Sequence, residues 1–551
     1  MDPTDRRLTF YDKEDRPWRG RLSSAAIVGH TTTTSSRIWV RASQPGEYCF
    51  IVADQEIPTD GQPRLGADNV VETVRPTVTT PLTGILFMER RTLEFGSDIT
   101  AVFDVSGLHP GFRYHYALFS LDEARPERWE VGRDAPLSFR TQKASPATVT
   151  FGLYSCHMPF KDRNLYNMHM WRNLREALDY SDADFVIGGG DQAYVDGDGS
   201  VDIWRWLTKV KDEIWALPPN RQIDVMQSWF RDIYRGYWAD LEIRRVFRSL
   251  PNYMIWDDHE IMDGWGSYEE DELSDQLDTI WEWESKPKNL TLARRMFEAA
   301  RRAYREYEHS HNPPTPSPVN KEQWDYTFDW GPLAFFVLDM RGHRNYERPK
   351  DKILGADQWK RLEAWFKGSS VHRAKAIFIV SPVPVVHLSD FVANTMDLTL
   401  LGLADDLRDE WEHKSNWDER NRLLDLVFAY SASSGKRVIF LSGDVHVASA
   451  FRLWRDGVRP ARVYQLTSSG ITYCKAPGRL LQLATRGNGE LNDQRGAKTK
   501  TYIRRLQVFS ENNFAMVHAR VEREDVKVFW DVYGSSAEED EVVKPRRVEL
   551  E

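Results

Sequence analysis

The amino-acid sequence predicts an α/β core preceded by an all-β domain, and three observations carry that reading. Up to about residue 145, apolar residues alternate in short runs separated by Gly, Pro and Asp clusters. After Gln142-Lys143-Ala144-Ser145-Pro146 the texture changes, and strands that are apolar on both faces alternate with helical stretches. Each of these later strands runs into a polar or Gly-rich tip, and ligands gather at the carboxyl ends of strands in α/β sheets.

In the first region, 36–42, 47–53, 101–105 and 114–120 read as strands. The stretch Leu108-His109-Pro110-Gly111-Phe112-Arg113-Tyr114 has the form of a tyrosine corner, with Tyr114 as the residue that bonds back to the chain. In the second region the predicted strands are 149–155, 185–188, 253–256, 333–338, 376–380 and 438–441, with a helix at 171–179. Two charged helical insertions are expected near 271–309 and 391–431, read first as packed, solvated helices and second as covers over a site. Strands return at 513–521 and 526–532. The expected domains are 1–145 (fibronectin-like β-sandwich), 146–535 (catalytic-size core) and a frayed polar tail, 536–551.

The 551 residues include 21 Trp and carry a formal charge of −10. Such a chain buries a large core, and the charge implies no surface for the nucleic-acid backbone. Three cysteines, Cys49, Cys156 and Cys474, are too few and too scattered for a disulfide framework. The polar start is followed by no apolar segment, and no run is long enough to span a bilayer, so the expectation is a soluble, cytoplasmic chain, with an exported form left open. Oligomeric state is not readable.

The chemistry lies at the tips. Gly188-Gly189-Gly190-Asp191-Gln192-Ala193-Tyr194 follows a buried strand; Asp191 can bridge two metals, and a phenolate such as Tyr194 suits a hard trivalent cation. Alone, this is a glycine turn with a capping Asp. Trp256-Asp257-Asp258-His259-Glu260 sets four ionisable groups in a row after an apolar strand, an arrangement that repels itself without a cation. Ser442-Gly443-Asp444-Val445-His446 places an Asp and a His two apart on extended backbone, a chelating pair for Fe, Zn or Mn. Ser155-Cys156-His157 offers a thiolate, with His157 as rival ligand. Asp339-Met340-Arg341 offers a guanidinium for phosphate oxygens or, equally, a structural ion pair.

Taken as a set, these segments resemble the PhoD-like alkaline phosphatase and phosphodiesterase family of the calcineurin-like metallophosphoesterases. Trp256-Asp257-Asp258-His259-Glu260 is the most specific match, and Gly190-Asp191-x-x-Tyr194 also resembles the purple acid phosphatases. Leu354-Gly355-Ala356-Asp357-Gln358-Trp359 fits the same family as a helix entry. The resemblance implies a four-layer αββα core and hydrolysis of phosphoric mono- or diesters. It implies iron(III) held by Cys156, Asp191, Tyr194 and His446, and calcium held by Asp191, Asp258 and Asp444, with Zn2+, Mn2+ or Mg2+ as the alternative metals. His259 would contact phosphate and serve as general acid, with Arg341 assisting. The strand 376–380 runs into Ser381-Pro382-Val383-Pro384 with no His before His387, a departure from the wider superfamily that favours the PhoD-like metal pair. The partner implied is a small phosphoester. The competing reading is a non-catalytic metal- or phosphate-binding protein on the same fold.

Overall fold

The computed structural model describes residues 24–161, 164–165, 168–196, 203–274, 286–314, 324–387, 406–456, 461–473, 485–491, 499–523, 525–535 and 543–551. It is a mixed α/β structure with several sheets and a β-rich N-terminal region. The first region forms two facing sheets. Ala25–Thr31, Ser35–Arg41 and Thr100–Ser106 make one; Trp129–Val131, Arg113–Ser120, Gly46–Ala53 and Ile85–Leu93 make the other, with Leu137–Arg140 also paired to Arg113–Ser120. Alternation points Val28, Ile38, Val40 and Phe103 of one sheet at Phe50, Val52, Tyr116 and Leu118 of the other. The Phe50 and Phe103 rings stack across the gap at 4.3 Å. Tyr114 is buried, and its hydroxyl accepts the His109 backbone N–H at 2.7 Å, so the corner read from the sequence is present.

Two larger sheets follow. The first runs Asn252–Ile255, Phe185–Gly189, Thr148–Tyr154, Asn512–Glu522, Asp525–Ser535, Val543–Leu550. Its first three strands are parallel and the rest antiparallel. The tail expected to fray from 536 is corrected here: Val543–Leu550 pairs with Asp525–Ser535 as the edge strand. Its alternating apolar residues Val548 and Leu550 pack on the core while Arg547 reaches back to Asp531 at 2.6 Å. The second sheet has the parallel strands Leu333–Val337, Ala376–Val380, Arg437–Ser442 and Arg462–Thr467 at its centre.

Alternation explains how the second sheet is covered on both sides. Phe335, Val337, Phe378, Val380, Ile439 and Leu441 pack toward the first sheet, where Phe151 meets Phe335 and Phe378 edge-on at 5.6 Å. Their sequence neighbours Phe336, Ile377, Ile379, Val438 and Phe440 face the other way. There they meet the helices Gly355–Trp365 and Trp417–Ser434 through Trp359, Leu362, Leu424 and Val427. On the far face of the first sheet lies the helix His169–Tyr180; Gly152 gives it room, since a Cβ there would meet Leu178 at 3.1 Å. Of the expected insertions, the described part of the first is mainly the helix Lys286–Tyr304, which buries Ala293, Met296 and Ala300 and stacks Tyr304 on Trp256 at 4.3 Å. Of the second, 391–405 lie outside the described residues, as do Cys474 and the residues before 24. No helix among the described residues is long and apolar enough to cross a membrane.

The β-rich region is anchored to the core through buried polar groups. Asp98 accepts from Arg41 at 3.2 Å and also pairs with Arg235 and the Tyr307 hydroxyl. Burial alone would raise its carboxyl, but Arg235 and Arg41 outweigh it and hold it below the usual carboxylate range. Trp39 donates its indole N–H to the Glu306 carbonyl at 2.7 Å. Asp98→Ala leaves two buried guanidinium groups without their shared partner, and we expect a loss of about 3–5 kcal/mol, read from urea unfolding. The contribution of Asp98 is fully present above the ordinary Asp pKa and is lost as pH falls through its lowered folded-state value.

Candidate functional site

Strand register brings the predicted segments to one edge. Tyr154 pairs with Gly188, and Gly188 with Met254, so the segments after these three strands leave the first sheet at the same level. Leu441 and Val380 end level in the second sheet. Hydrogen bonds then join the tips: Cys156 N–H to Gly190 O at 3.2 Å, His157 N–H to Asp191 O at 2.8 Å, and Gly443 N–H to Pro382 O at 2.8 Å. Gly190, at φ +107°, sits where a Cβ would lie 2.9 Å from Asp257 Cβ. Gly443 lies so close to the first sheet that a Cβ would meet Ser155 Oγ at 2.3 Å. These glycines let the tips of the two sheets touch.

Four candidate ligands hold left-handed backbone: Cys156 (φ 54°), Asp191 (56°), Asp444 (65°) and His446 (54°). Such conformations cost about 1–3 kcal/mol each for non-glycine residues and collect at functional sites. The Cys156 and Asp191 side chains meet, and Tyr194 joins them. Cys156 Sγ lies 3.4 Å from Asp191 Oδ2 and 3.5 Å from Asp444 O. Tyr194 Oη lies 3.0 Å from the same Asp191 oxygen and 3.4 Å from His446 Nε2. His157 turns elsewhere, with Nδ1 2.9 Å from Thr472 Oγ1 and 3.2 Å from Trp171 Nε1. Donor atoms of Asp191, Asp258 and His259 lie within 4.8 Å of one another, as do those of Asp257, Asp258 and Asp444.

The electrostatics call for cations. Asp191 Oδ1 and Asp257 Oδ2 are buried with no hydrogen-bond partner. Burial pushes Asp191 up to about 6, despite the pull of His259. Burial, then neighbouring carboxylates, also raise Asp257 and Asp444, although Arg341 pulls Asp257 down. The Cys156 thiol and Tyr194 phenol are raised in the same way, by burial first and then by Asp191. Carboxylates this close and this dry are unfavourable unless positive charge sits among them. Thiolate, phenolate, imidazole and carboxylate form a donor set for a transition metal, and the all-carboxylate group suits a hard cation.

His259 is part-exposed and stacks on Tyr194 at 4.1 Å. Burial would lower its pKa, but Asp196, Asp258 and Asp191 outweigh that and raise it above the ordinary imidazole value. Its Nδ1 lies 2.8 Å from Asp196 Oδ1, which leaves Nε2 for a ligand. Arg341 is wholly buried beneath Asp257 and Asp258 rather than facing open space.

Several residues escaped the sequence reading. Glu260 was grouped with the acids, yet its carboxylate accepts the backbone N–H of Asp257 at 2.8 Å, Asp191 at 3.2 Å and Ala193 at 3.3 Å, and that of Gln192. It clamps one metal-side loop to another. Asp196 was missed, although its place two residues after Tyr194 was a signal. Ser469 accepts the His446 N–H at 2.8 Å and is itself held by Asn513, whose Oδ1 accepts the Ser469 N–H at 3.1 Å. Tyr473 stacks on His446 at 3.5 Å. These last three come from distant sequence, and no local pattern marks them.

With this geometry in view, comparison with known proteins gives the family. Residues 151–530 match the model of the PhoD-like phosphatases. The chain belongs to the PhoD-like phosphatase family. Among solved structures it is similar to that of PhoD, with a TM-score of 0.57 at 15% identity over 95% of this chain and 91% of the other. It is also similar to the purple acid phosphatase PPD1 from yellow lupin (Lupinus luteus) seeds, with a TM-score of 0.50 at 11% identity over 96% of this chain and 74% of that one. At these identities the likeness is one of fold. An uncharacterized protein of Saccharomyces cerevisiae is 24% identical over 358 residues; the match takes in 53% of this chain and about half, 48%, of that protein.

Glu260→Gln places an amide N–H2 against backbone N–H donors. We expect about 2–3 kcal/mol of destabilisation in the metal-free protein, read from its thermal midpoint, together with loss of metal.

Proposed function

We propose that the chain hydrolyses phosphoric esters by metal-assisted attack of water, on an αββα core of four layers. The observation that supports this best is the convergence of Cys156 and Tyr194 on Asp191, with His446 against Tyr194, beside a second group of carboxylates. In this reading Cys156, Asp191, Tyr194 and His446 hold iron(III). Asp191, Asp258 and Asp444 hold a hard divalent ion, calcium by family resemblance, and Asp257 stands beside them. Bound there, the metal pair supplies positive charge to the phosphoryl oxygens and acidifies the attacking water.

The chain's own residues do the rest. Asp191 links the two subsites. Tyr194 carries the stacked His259 ring, and Asp196 fixes that ring through Nδ1. Nε2–H then gives its proton to the departing alkoxide as the P–O bond to it breaks, while the water, one of its protons passing to solvent, forms the new bond to phosphorus through its oxygen. All five N–H donors of Arg341 are committed to protein groups, so Arg341 supports the carboxylates and does not clamp phosphate.

The test uses p-nitrophenyl phosphate and bis-p-nitrophenyl phosphate, whose relative rates assign monoester or diester preference. Asp191→Asn is expected to lower hydrolysis of both at least a thousandfold and to strip bound metal; an active variant would sink the proposal. The iron assignment has its own readout. Purified protein should show a tyrosinate-to-iron(III) band in the visible, and Tyr194→Phe should remove it while leaving the fold intact.

A further inference from the structure

Arg341 follows the strand Leu333–Val337, and its backbone N–H donates to Asp339 at 3.1 Å. Its side chain is fully buried. Nε pairs with Asp257; Nη1 donates to Asp409 Oδ1 at 2.5 Å and to Trp265 O at 3.3 Å; Nη2 pairs with Asp409 Oδ2 and reaches Asp258 Oδ1 only at 3.3 Å. The bidentate partner is therefore Asp409, which comes from the second charged segment, far from the strand tips in sequence. Asp409 ends the short helix Asp406–Asp409 and is itself held on three sides. Ser267 Oγ donates to it at 2.5 Å, Arg344 pairs with it at 3.3 Å, and the Asp409 carbonyl accepts from Arg344 at 2.9 Å.

A guanidinium next to a metal-binding carboxylate competes with the metal for the same oxygen. Two in-plane bonds to one carboxylate fix both the position and the tilt of the guanidinium. We propose that Asp409 is a positioning residue for the carboxylate subsite: it draws Arg341 onto itself, so that Asp258 is steadied by Arg341 but stays available to a divalent cation. Asp258 Oδ2 is separately held by the Gly264 N–H at 2.7 Å, and Oδ1 is the oxygen that Arg341 reaches. Without the Asp409 fork, the Nη groups of Arg341 turn onto Asp258 Oδ1 and exclude the cation. The charged segment thus acts on metal affinity from outside the ligand set.

This inference rests on the metal-site reading above, and the experiment separates the two. The full chain is stripped with chelator and titrated calorimetrically with Ca2+ and, separately, Mn2+; the tighter ion is used for comparison. Asp409→Asn is expected to weaken the divalent ion about tenfold or more, the range seen when groups that orient ligands are removed. The double variant Arg341→Met/Asp409→Asn removes the competitor and should bind at least as tightly as the wild type. A purely structural role for Asp409 predicts the opposite, with the double variant no tighter than the single. If Asp409→Asn does not fold by circular dichroism, the double variant, which removes one charge of each sign, is compared directly with wild type. Weaker binding there overturns the inference. Wild type that takes up no divalent ion overturns the metal-site reading itself; wild type that binds while Asp409→Asn binds equally overturns only the role of Asp409.

Discussion

The structure around the site depends on one electrostatic constraint: carboxylates are packed together away from water. Asp191, Asp257, Asp258 and Glu260 are all buried, and half-buried Asp444 adds to them from the second sheet. At short range in a low-dielectric interior, such charges repel by several kcal/mol per pair. The chain relieves this in two ways within its own atoms. Glu260 accepts hydrogen bonds from a ring of backbone N–H groups, and Asp257 and Asp258 share Arg341. Asp191 Oδ1 and Asp257 Oδ2 are left over, and they mark where external cations belong.

The sheets exist in a form that makes this collision possible. Two faces of aromatic side chains, with Phe151 against Phe335 and Phe378, hold the sheets together, and the level strand ends put the loops in contact. Left-handed backbone at Cys156, Asp191, Asp444 and His446 turns the side chains inward. The strain at these four positions is supported by well-paired strands behind them. The same logic places the structural polar groups: Asp98 ties the β-rich region to the core with the same arginine chemistry that Asp409 uses near the site.

Much of this was legible in sequence because it is local. A strand that is apolar on both faces and ends in Gly-Gly-Gly-Asp191 announces its tip, and so do the runs ending at Asp258 and at Asp444. The tyrosine corner at Tyr114 was readable for the same reason. What was hidden depends on pairing between remote segments. Nothing beside Arg341 in the chain shows that its partner is Asp409, and the local Asp339 was the natural but incomplete choice. The contest between Cys156 and His157 was undecidable from sequence, since adjacent residues differ only in which way a left-handed turn points them. The edge strand Val543–Leu550 was lost because a charged, alternating segment has the same texture as a solvated tail until its partner strand is known.

The most direct test of the account is an X-ray structure of the purified protein with anomalous difference maps collected on either side of the iron edge. Two peaks are expected at the joined strand tips. One should scatter as iron in contact with Cys156, Asp191, Tyr194 and His446, and the other as a harder ion bridged to it by Asp191 and held by Asp258 and Asp444. Ordered water alone at that spot, in protein that still hydrolyses phosphoesters, would contradict it.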